Sequence, residues 1–376
     1  MAILFRRITK RFVIYANLAV VFVFLLACLV PYLNPQTWWF ISFLGLAFPF
    51  LLILVIVFLI GWLILTKWKP ALISGIALLL GLKSITILLA FHKPVKFKYE
   101  KQPGTLRVVS WNVARFIEWK KNNNKGSQTR LKMFDLLKEQ NADVLCLQEF
   151  HTSTHPEYYN NIEHIQKELN YPYYYFSFEE DGDLNYYSSV IFSRYPIIDS
   201  GKVRYSRPSY PDVLLEADIK FNNDTVRIFT THLQSLQFGK KDYEKINQIK
   251  EGEDSLVSNS RSILSKLKKG VVYRSLQADV AHEVMKQSPG PVLFCGDLND
   301  VPNSYAYETV KGDMQDAFLK KGFGIGRTFS ALSPTLRIDY IFADKRFKVK
   351  QFARIRRKLS DHYMLVADVE LKPLNP

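Results

Sequence analysis

Three long apolar runs open the chain, and a different pattern follows them. Residues 11–33, 38–65 and 71–91 are each almost uniformly apolar, long enough for a helix to cross a bilayer, which takes about 20 residues. Pro31 and the Asn34-Pro35 pair punctuate the end of the first run. The second opens on Trp38-Trp39 and closes near Trp62 and Trp68, as interfacial aromatic belts do. The third is weaker, interrupted by Lys83 and several glycines. A cleaved signal peptide has one apolar core and does not explain three. The pattern predicts about three transmembrane helices within residues 1–92, then a linker over 93–104.

Past Pro103-Gly104 the apolar stretches shorten and alternate with helical periodicity. Leu106–Ser110 reads as a strand that ends in Trp111-Asn112-Val113. A helix is expected from Thr129 to Glu139, with Leu131, Met133, Phe134 and Leu137 on its apolar face. Val144–Leu147 is the next strand, and it stops at Gln148-Glu149. Tyr158–Leu169 suits a helix, and Tyr173–Phe178 and Tyr187–Ser193 suit strands. Val213–Phe221 and Val226–Thr230 flank Asn222-Asn223-Asp224, a hairpin signal. Two helices are expected in the charged region that follows, around Ser255–Leu267 and Val272–Met285. Val292–Cys295 is a buried strand ending in Gly296-Asp297-Leu298-Asn299, and Pro302–Val310 suits a helix. Gly322, Gly324 and Gly326 mark a flexible loop with no dinucleotide-binding context. Arg337–Phe342 and the stretch from Met364 to Leu371, entered through Ser360-Asp361-His362, close an α/β domain over 105–372.

Charge changes this picture little. The formal net charge is +15, but ten of the 50 basic residues precede Glu100, the first acid in the chain. The remainder carries 40 basic residues against 35 acids, so the excess belongs to membrane flanks and gives weak support to a nucleic-acid partner. Arg6, Arg7, Lys10 and Arg11, with Lys67 and Lys69 after two spans, place the N-terminus in the cytoplasm. A third span then puts the α/β domain on the extracytoplasmic face, against the opposing signal of Lys93, Lys96, Lys98 and Lys101. Lys266, Lys268 and Lys269 read as a solvated helix end, with contact to anionic lipid head groups as the alternative. Three cysteines, Cys28, Cys146 and Cys295, make no disulfide framework.

The candidate chemistry lies at strand ends: Asn112, Glu149, His232, Asp297 with Asn299, Asp339, and Asp361 with His362. Sheets with parallel strands collect ligand sites at such ends, so one cleft can gather them. Residues two apart share a side in extended chain, which turns Asp297 and Asn299 toward one spot. Carboxylates with an amide, and no paired Cys/His ligands, suit a hard cation, Mg2+ or alternatively Mn2+, over zinc. Two histidines supply groups that transfer protons near neutral pH. Together they suit metal-assisted hydrolysis of a phosphate ester. Each residue also has a bland reading: Asn112 closing a turn, Asp339 paired with Arg337, the histidines held as structural side chains. Arg194, Arg274 and Gln277 read as packing residues.

The series Ser110-Trp-Asn112, Gln148-Glu149, Ser193-Arg-Tyr-Pro196, Thr231-His232-Leu233, Gly296-Asp297-Leu-Asn299, Arg337-Ile-Asp339-Tyr340 and Ser360-Asp361-His362 resembles the endonuclease/exonuclease/phosphatase superfamily, in that family's order. The resemblance implies a four-layer α/β sandwich, two mixed β-sheets packed face to face with helices outside. It further implies that Glu149 binds the metal, with Asn112 close by and Asp361 assisting. Asp297 would orient or deprotonate the attacking water, and Asn299 would hold water or phosphate. His362, polarised by Asp339, would act on the phosphate or as base, and His232 would stabilise the phosphate or protonate the leaving group. Thr231-His-Leu-Gln234 looks more like the sphingomyelinase and phosphatase branches than the abasic-site nucleases. The expected function is a membrane-anchored, Mg2+-dependent phosphoester hydrolase with a lipid head group as favoured substrate. A membrane-tethered nuclease, with Tyr186, Tyr187 and Tyr205 as stacking surfaces, is the alternative enzyme, and a non-catalytic scaffold the alternative of another class.

Overall fold

The computed structural model describes residues 2–372 apart from 94, 124, 207–212, 237–243 and 245–255. The start of the expected helix at Ser255 falls outside the described residues. Helix α1 (Ala2–Leu29) runs through a short 3-10 turn, Val30–Tyr32, at Pro31. Helix α2 (Pro35–Ile64) begins where the Asn34 side chain accepts the Gln36 N–H and Pro35 occupies the first turn, where its missing donor costs nothing. The stretch Arg7–Tyr32 and α2 are each long and apolar enough to cross a membrane.

The third apolar run departs from a simple span. It forms α3 (Trp68–Leu80) and α4 (Leu82–Leu88), bent by 61° at Gly81. A side chain at Gly81 would collide with the Phe24 ring, so the close crossing with α1 requires glycine there. Inside the bundle, the Ser74 hydroxyl donates to Asn17 Oδ1 at 2.9 Å, which satisfies two polar groups that are both buried. The α1 and α3 helices are thereby tied together.

The remaining elements build two six-stranded sheets. One has the order β13 (Phe347–Ile355), β14 (Met364–Leu371), β2 (Thr105–Asn112), β3 (Val144–Ser153), β5 (Asn185–Ser193), β4 (Tyr173–Phe176). The other has β10 (Gln315–Asp316), β12 (Asp339–Ala343), β9 (Val292–Asp297), β8 (Asp224–His232), β7 (Val213–Phe221), β6 (Ile197–Arg204). Each contains one parallel pair, β2 with β3 and β8 with β9, among antiparallel neighbours. Both are therefore mixed sheets. Leu106, Val108, Val144 and Cys146 of the first pack against Leu215, Ile228, Leu293 and Cys295 of the second in one buried cluster.

Helices cover the outer faces. Helix α5 (Thr129–Gln140) and α6 (Asn161–Glu168) lie on the first sheet and bury Met133, Phe134, Leu137, Ile162 and Ile165. Leu136 is buried where the pattern put Leu131. The long α7 (Leu256–Lys286) and short α8 (Tyr305–Lys311) lie on the second sheet. One helix replaces the two expected in the charged region. Gly270 sits within it, against Leu236 and Arg274, and packing outweighs the roughly 1 kcal/mol that a mid-helix glycine costs.

The two apolar regions interlock. Ile87 of α4 is buried within the core formed by Phe229, Phe294, Leu298 and Tyr340. In the other direction, Ile325 packs on the helix cluster of Val21, Phe24, Ala27 and Phe48. Directly after α4, β1 (Ala90–Phe91) pairs with β11 (Phe323–Gly324), which follows the short α9 (Ala317–Lys321). Lys266, Lys268 and Lys269, read as a helix end, lie in the interior of α7, where Lys268 is 4.8 Å from the Trp39 ring centre and so rests on the start of α2.

Arg107 of β2 stands directly opposite Asp368 of β14. Its Nε and Nη2 donate to the two Asp368 oxygens at 2.7 and 2.9 Å, and it also donates to the Lys98, Tyr99 and Gln140 carbonyls. Both side chains are fully buried, so removing one partner strands the other charge at a cost of about 3–5 kcal/mol. Asp368→Ala is therefore expected to lower the denaturation free energy of the detergent-solubilised chain by about 3 kcal/mol. Disruption of the exposed Lys345–Asp313 pair should leave the denaturation midpoint where it is.

Candidate active site

Parallel pairing sets where the polar strand tips go. Asn112, His232 and Asp297 are the last residues of β2, β8 and β9. Asp339 opens β12 opposite Asp297, and His362 lies just before β14, which runs antiparallel to β2. All therefore emerge at one edge of the sandwich. Glu149 reaches the same edge by a bulge: three steps on β3, from Leu147 to Phe150, face two on β5, from Val190 to Ser188. Its backbone is left-handed there, with φ 49°, and bulges re-aim side chains in this way.

Asn112 is the hub. Its Oδ1 accepts the Ala114 N–H at 3.0 Å, and its Nδ2 donates at 3.1 Å to both Glu149 Oε1 and Asp297 Oδ2. The backbone donor fixes the amide's orientation, so nitrogen faces the carboxylates. This differs from the expectation that Asn112 joins a metal ligand set, because an amide nitrogen carrying two hydrogens is a donor.

Asp297 is fully buried, and Asn299 N–H donates to its Oδ1 at 2.8 Å. The Asp-Leu-Asn segment is thus an Asx turn with Asn299 left-handed at φ 50°, and the turn geometry brings the two side chains together. Asn299 Nδ2 donates to the Leu233 carbonyl at 2.9 Å and lies 2.8 Å from His232 Nε2. The carbonyl bond identifies that atom as nitrogen, so His232 Nε2 accepts. His232 Nε2 is also 3.7 Å from Glu149 and 3.8 Å from Asp297. A side chain at Gly296 would strike the Thr231 carbonyl at 2.6 Å, so glycine permits the β8–β9 approach that sets this spacing.

His362 Nδ1 lies 3.0 Å from both oxygens of Asp339 and 3.7 Å from Asp297. Nδ1 carries the proton and donates to Asp339. Burial works against a charged imidazole here, but Asp339 and Asp297 outweigh it and push His362 up to about 10. Burial, reinforced by Asp339, raises Asp297, while His362, His232 and the Asn299 N–H oppose the rise. Asp339 does not pair with Arg337, which instead binds Asp316 at 2.5 Å.

Seven of the eight expected residues therefore lie in one connected cluster. Asp361 stands outside it: exposed, with its carboxylate accepting from the Ser360 hydroxyl. Ligand atoms of Asp297, Asp339 and His362 fall within 4.8 Å of one another, but His362 Nδ1 is committed to Asp339. The remaining donors are carboxylate oxygens, and two of the acids are buried beside each other. That set fits a hard divalent cation.

Further residues brace the cluster. Gln148 Nε2 donates to Thr230 Oγ1 across the sandwich at 3.0 Å. Thr328 Oγ1 accepts the Ile338 and Asp339 N–H groups, and Trp111 Nε1 donates to the His362 carbonyl. Arg274 donates to Asp300 and the Gln234 carbonyl, and Gln277 accepts the Gln234 N–H. Arg194 donates to Asn141 at 2.5 Å. These are the packing roles read for Arg194, Arg274 and Gln277. Thr328 carries no motif, and its contact exists only once the 328 loop meets β12. Of the three tyrosines expected to stack on bases, Tyr187 and Tyr205 are buried, so neither presents the open ring face that stacking needs, whereas Tyr186 is half-buried against Phe178.

The raised His362 sets a pH window. A histidine pushed above its ordinary 6.5 adds stability that is complete below 6.5 and is lost as pH rises through about 10. In metal-free protein, imidazole NMR titration should find His362 protonated until about pH 10. Asp339→Asn should bring the midpoint down toward 6.5; an unmoved midpoint would show that the pair is not its cause.

No curated protein sequence matches this chain. Among solved structures, it is similar to an endonuclease/exonuclease/phosphatase from Beutenbergia cavernae DSM 12333, with 19% identity over 71% of this chain and 72% of that one and a TM-score of 0.49. It is also similar to an endonuclease/exonuclease/phosphatase family protein from Bacteroides thetaiotaomicron, at 18% identity over 73% and 100%, TM-score 0.49. A third likeness is to D. rerio TDP2 complexed with single strand DNA product, at 16% identity over 71% and 99%, TM-score 0.46. Residues 10–88 match a family described as a domain of unknown function (DUF8431). Residues 109–362, which carry every residue of the cluster, match the model of the Endonuclease/Exonuclease/phosphatase family, and the chain belongs to that family.

Proposed function

We propose that this chain is a membrane-anchored, Mg2+-dependent hydrolase of phosphate esters, with catalytic residues in the domain 105–372 and lipid head groups as substrates. The observation that carries the reading is the Asn112 amide donating to Glu149 and Asp297 at once, because it joins a half-exposed acid to a buried one at the mouth of the cleft. Glu149 would hold the cation beside the buried carboxylates of Asp297 and Asp339, with Asp361 outside that set. When bound, the cation supplies Lewis-acid polarisation of a phosphoryl oxygen.

The chain's own groups divide the remaining work. Asp297 is raised by burial and by Asp339, which suits an acceptor of the attacking water's proton. His362 is held protonated by Asp339, which suits stabilising charge on the phosphate and argues against its acting as base. His232 Nε2, anchored by Asn299, faces the same space and suits exchange of a proton at the leaving oxygen. Asn299 also positions the turn that holds Asp297.

A bilayer substrate is supported by where the site loop goes. Four residues after Asn299, Asn303 Nδ2 donates to the Ala27 carbonyl of α1 at 2.8 Å, so this edge of the sandwich adjoins the ends of the apolar helices. The nuclease alternative loses two of its three expected stacking tyrosines, Tyr187 and Tyr205, to burial.

The full chain in lipid nanodiscs, given phospholipids, a soluble aryl phosphodiester and single-stranded DNA with Mg2+ or EDTA, tests the proposal. Mg2+-dependent lipid turnover is expected, and DNA cleavage without lipid turnover would replace this reading with the nuclease. Asp297→Asn should lower kcat by about 10²–10³-fold. Glu149→Gln should raise the Mg2+ needed for half-maximal activity at least about tenfold, with an unchanged melting profile in EDTA. For topology, Arg7, Lys10 and Arg11 begin α1, and Lys67 and Lys69 follow α2, so the antiparallel pair sets all five at one end. That basic end belongs in the cytoplasm and supports an extracytoplasmic domain. Protease added outside sealed spheroplasts should remove a tag placed after Pro376; a tag cleaved only after lysis would reverse the orientation.

A further inference from the structure

The ribbon formed by β1 and β11 takes no part in the proposed chemistry, yet it joins the apolar helices to the loop beside His362. Its level relative to a bilayer can be counted from the helices. About 20 residues span the hydrocarbon at 1.5 Å each. Counting from Arg11, the last charge before the apolar part of α1, reaches about Val30. Counting back from the end of α2 reaches about Gly45. The two counts meet, because a side chain built on Gly45 would lie 3.3 Å from Val30 Cγ1 and against the Asn303 carbonyl. The outer boundary of the hydrocarbon therefore falls near Val30, Gly45 and Asn303.

Ile325 packs on the buried helix cluster that includes Phe24, Ala27, Phe48 and Leu88, whose α1 and α2 members lie at or inside that boundary. Phe323, two residues earlier in β11, is 61% exposed. Phe91, 69% exposed, stands directly opposite it in the ribbon register. A cross-strand pair of phenyl rings open to solvent at this level is costly in water and favoured at a lipid interface. The flanks are cationic: Lys93, Lys320 and Lys321 are exposed. No acid precedes Glu100, and none lies between Asp316 and Asp339.

We infer that the Phe91–Phe323 ribbon is a bilayer-contacting element whose partner is the phospholipid head-group layer, with the two phenyl rings at the acyl boundary and the lysines among the phosphates. The inference rests on the membrane-anchored reading and goes beyond it, since an anchor needs only the spanning helices. The loop that leaves the ribbon reaches Phe329, whose ring centre is 4.9 Å from that of His362, and Thr328, which holds the Asp339 N–H. Lipid contact at Phe323 thus seats the loop that packs on the His362–Asp339 pair.

The full chain carrying Phe323→Cys in a Cys28→Ser background, labelled with an environment-sensitive fluorophore, tests this in phosphatidylcholine–phosphatidylglycerol vesicles. Cys146 and Cys295 are buried and stay unlabelled under native conditions. Phe91→Cys serves as an independent second position, and Leu54→Cys, in the middle of α2, as the reference for membrane insertion. A spin label near the lipid head group should quench the fluorophore at 323 and at 91, whereas a deep spin label should quench that at 54. Quenching at 54 with none at 323 or 91 would overturn the inference and leave the anchor standing. A blue-shifted but unquenched label at 323 would mean that protein, such as a second copy of the chain, covers the ribbon, and would also overturn it. Absence of quenching at all three positions would remove the anchor, and the inference with it. Hydrolysis enters none of these readouts, so the catalytic reading stands or falls separately.

Discussion

Asp297 and Asp339 face each other across the β9–β12 ladder, and both are buried. Strand register imposes this proximity. Two carboxylates at such a distance, away from water, repel strongly unless cations or donors compensate. The surrounding residues answer that constraint. His362 lies against Asp339 and retains its proton because the two acids outweigh burial. Asn112 and the Asn299 N–H donate to Asp297. Glu149, turned by its bulge, brings a third acid to the same amide. The site is a concentration of negative charge incompletely neutralised by its own donors, which is the setting in which a divalent cation binds well.

The strand tips were legible because the signal is local. An apolar run ending in a polar residue marks a strand end, and Asn112, His232 and Asp297 obey it, while Asp339 instead opens its strand. What could not be read was partnership. Nothing in Gln148-Glu149 announces a bulge, and nothing near Asn112 reveals that its amide nitrogen, rather than its oxygen, faces the acids. Those facts depend on pairing with β5 and on a backbone donor at Ala114. Strands β6 and β13 escaped for a different reason. Each lies at a sheet edge and is mostly half-buried or exposed, so neither needs the apolar runs by which strands are recognised. The charged region read as two helices, but α7 runs through it unbroken, with Gly270 packed against Leu236 and Arg274.

Hydropathy located the first two apolar helices well and the third only approximately. A protein core and a bilayer both accept apolar side chains, so a run such as residues 71–91 does not say which environment each residue meets. Ile87 belongs to the core under β9 and β12, whereas Ile325, from a glycine-rich loop of the α/β domain, belongs to the helix bundle. This exchange is invisible in composition. It also accounts for the bend of α4 away from α3: the end of α4 enters the core that holds Phe294 and Tyr340.

The helix ends then acquire a second role. The last carbonyls of a helix lack intrahelical donors. Two of them are satisfied from the α/β domain: Ala27 accepts from Asn303, and Ile87 accepts from Arg337 at 2.6 Å. Asn303 is four residues past Asn299, and Arg337 is two residues before Asp339. Both donors are buried, so losing the helix carbonyls would leave polar groups unpaired, at about 1–3 kcal/mol each. The loops that carry Asp297, Asn299 and Asp339 are therefore held at their far ends by the apolar helices. The apolar helices and the cluster thus share buried hydrogen bonds, and a movement of the helix ends pulls on Asn303 and Arg337, four and two residues from Asn299 and Asp339.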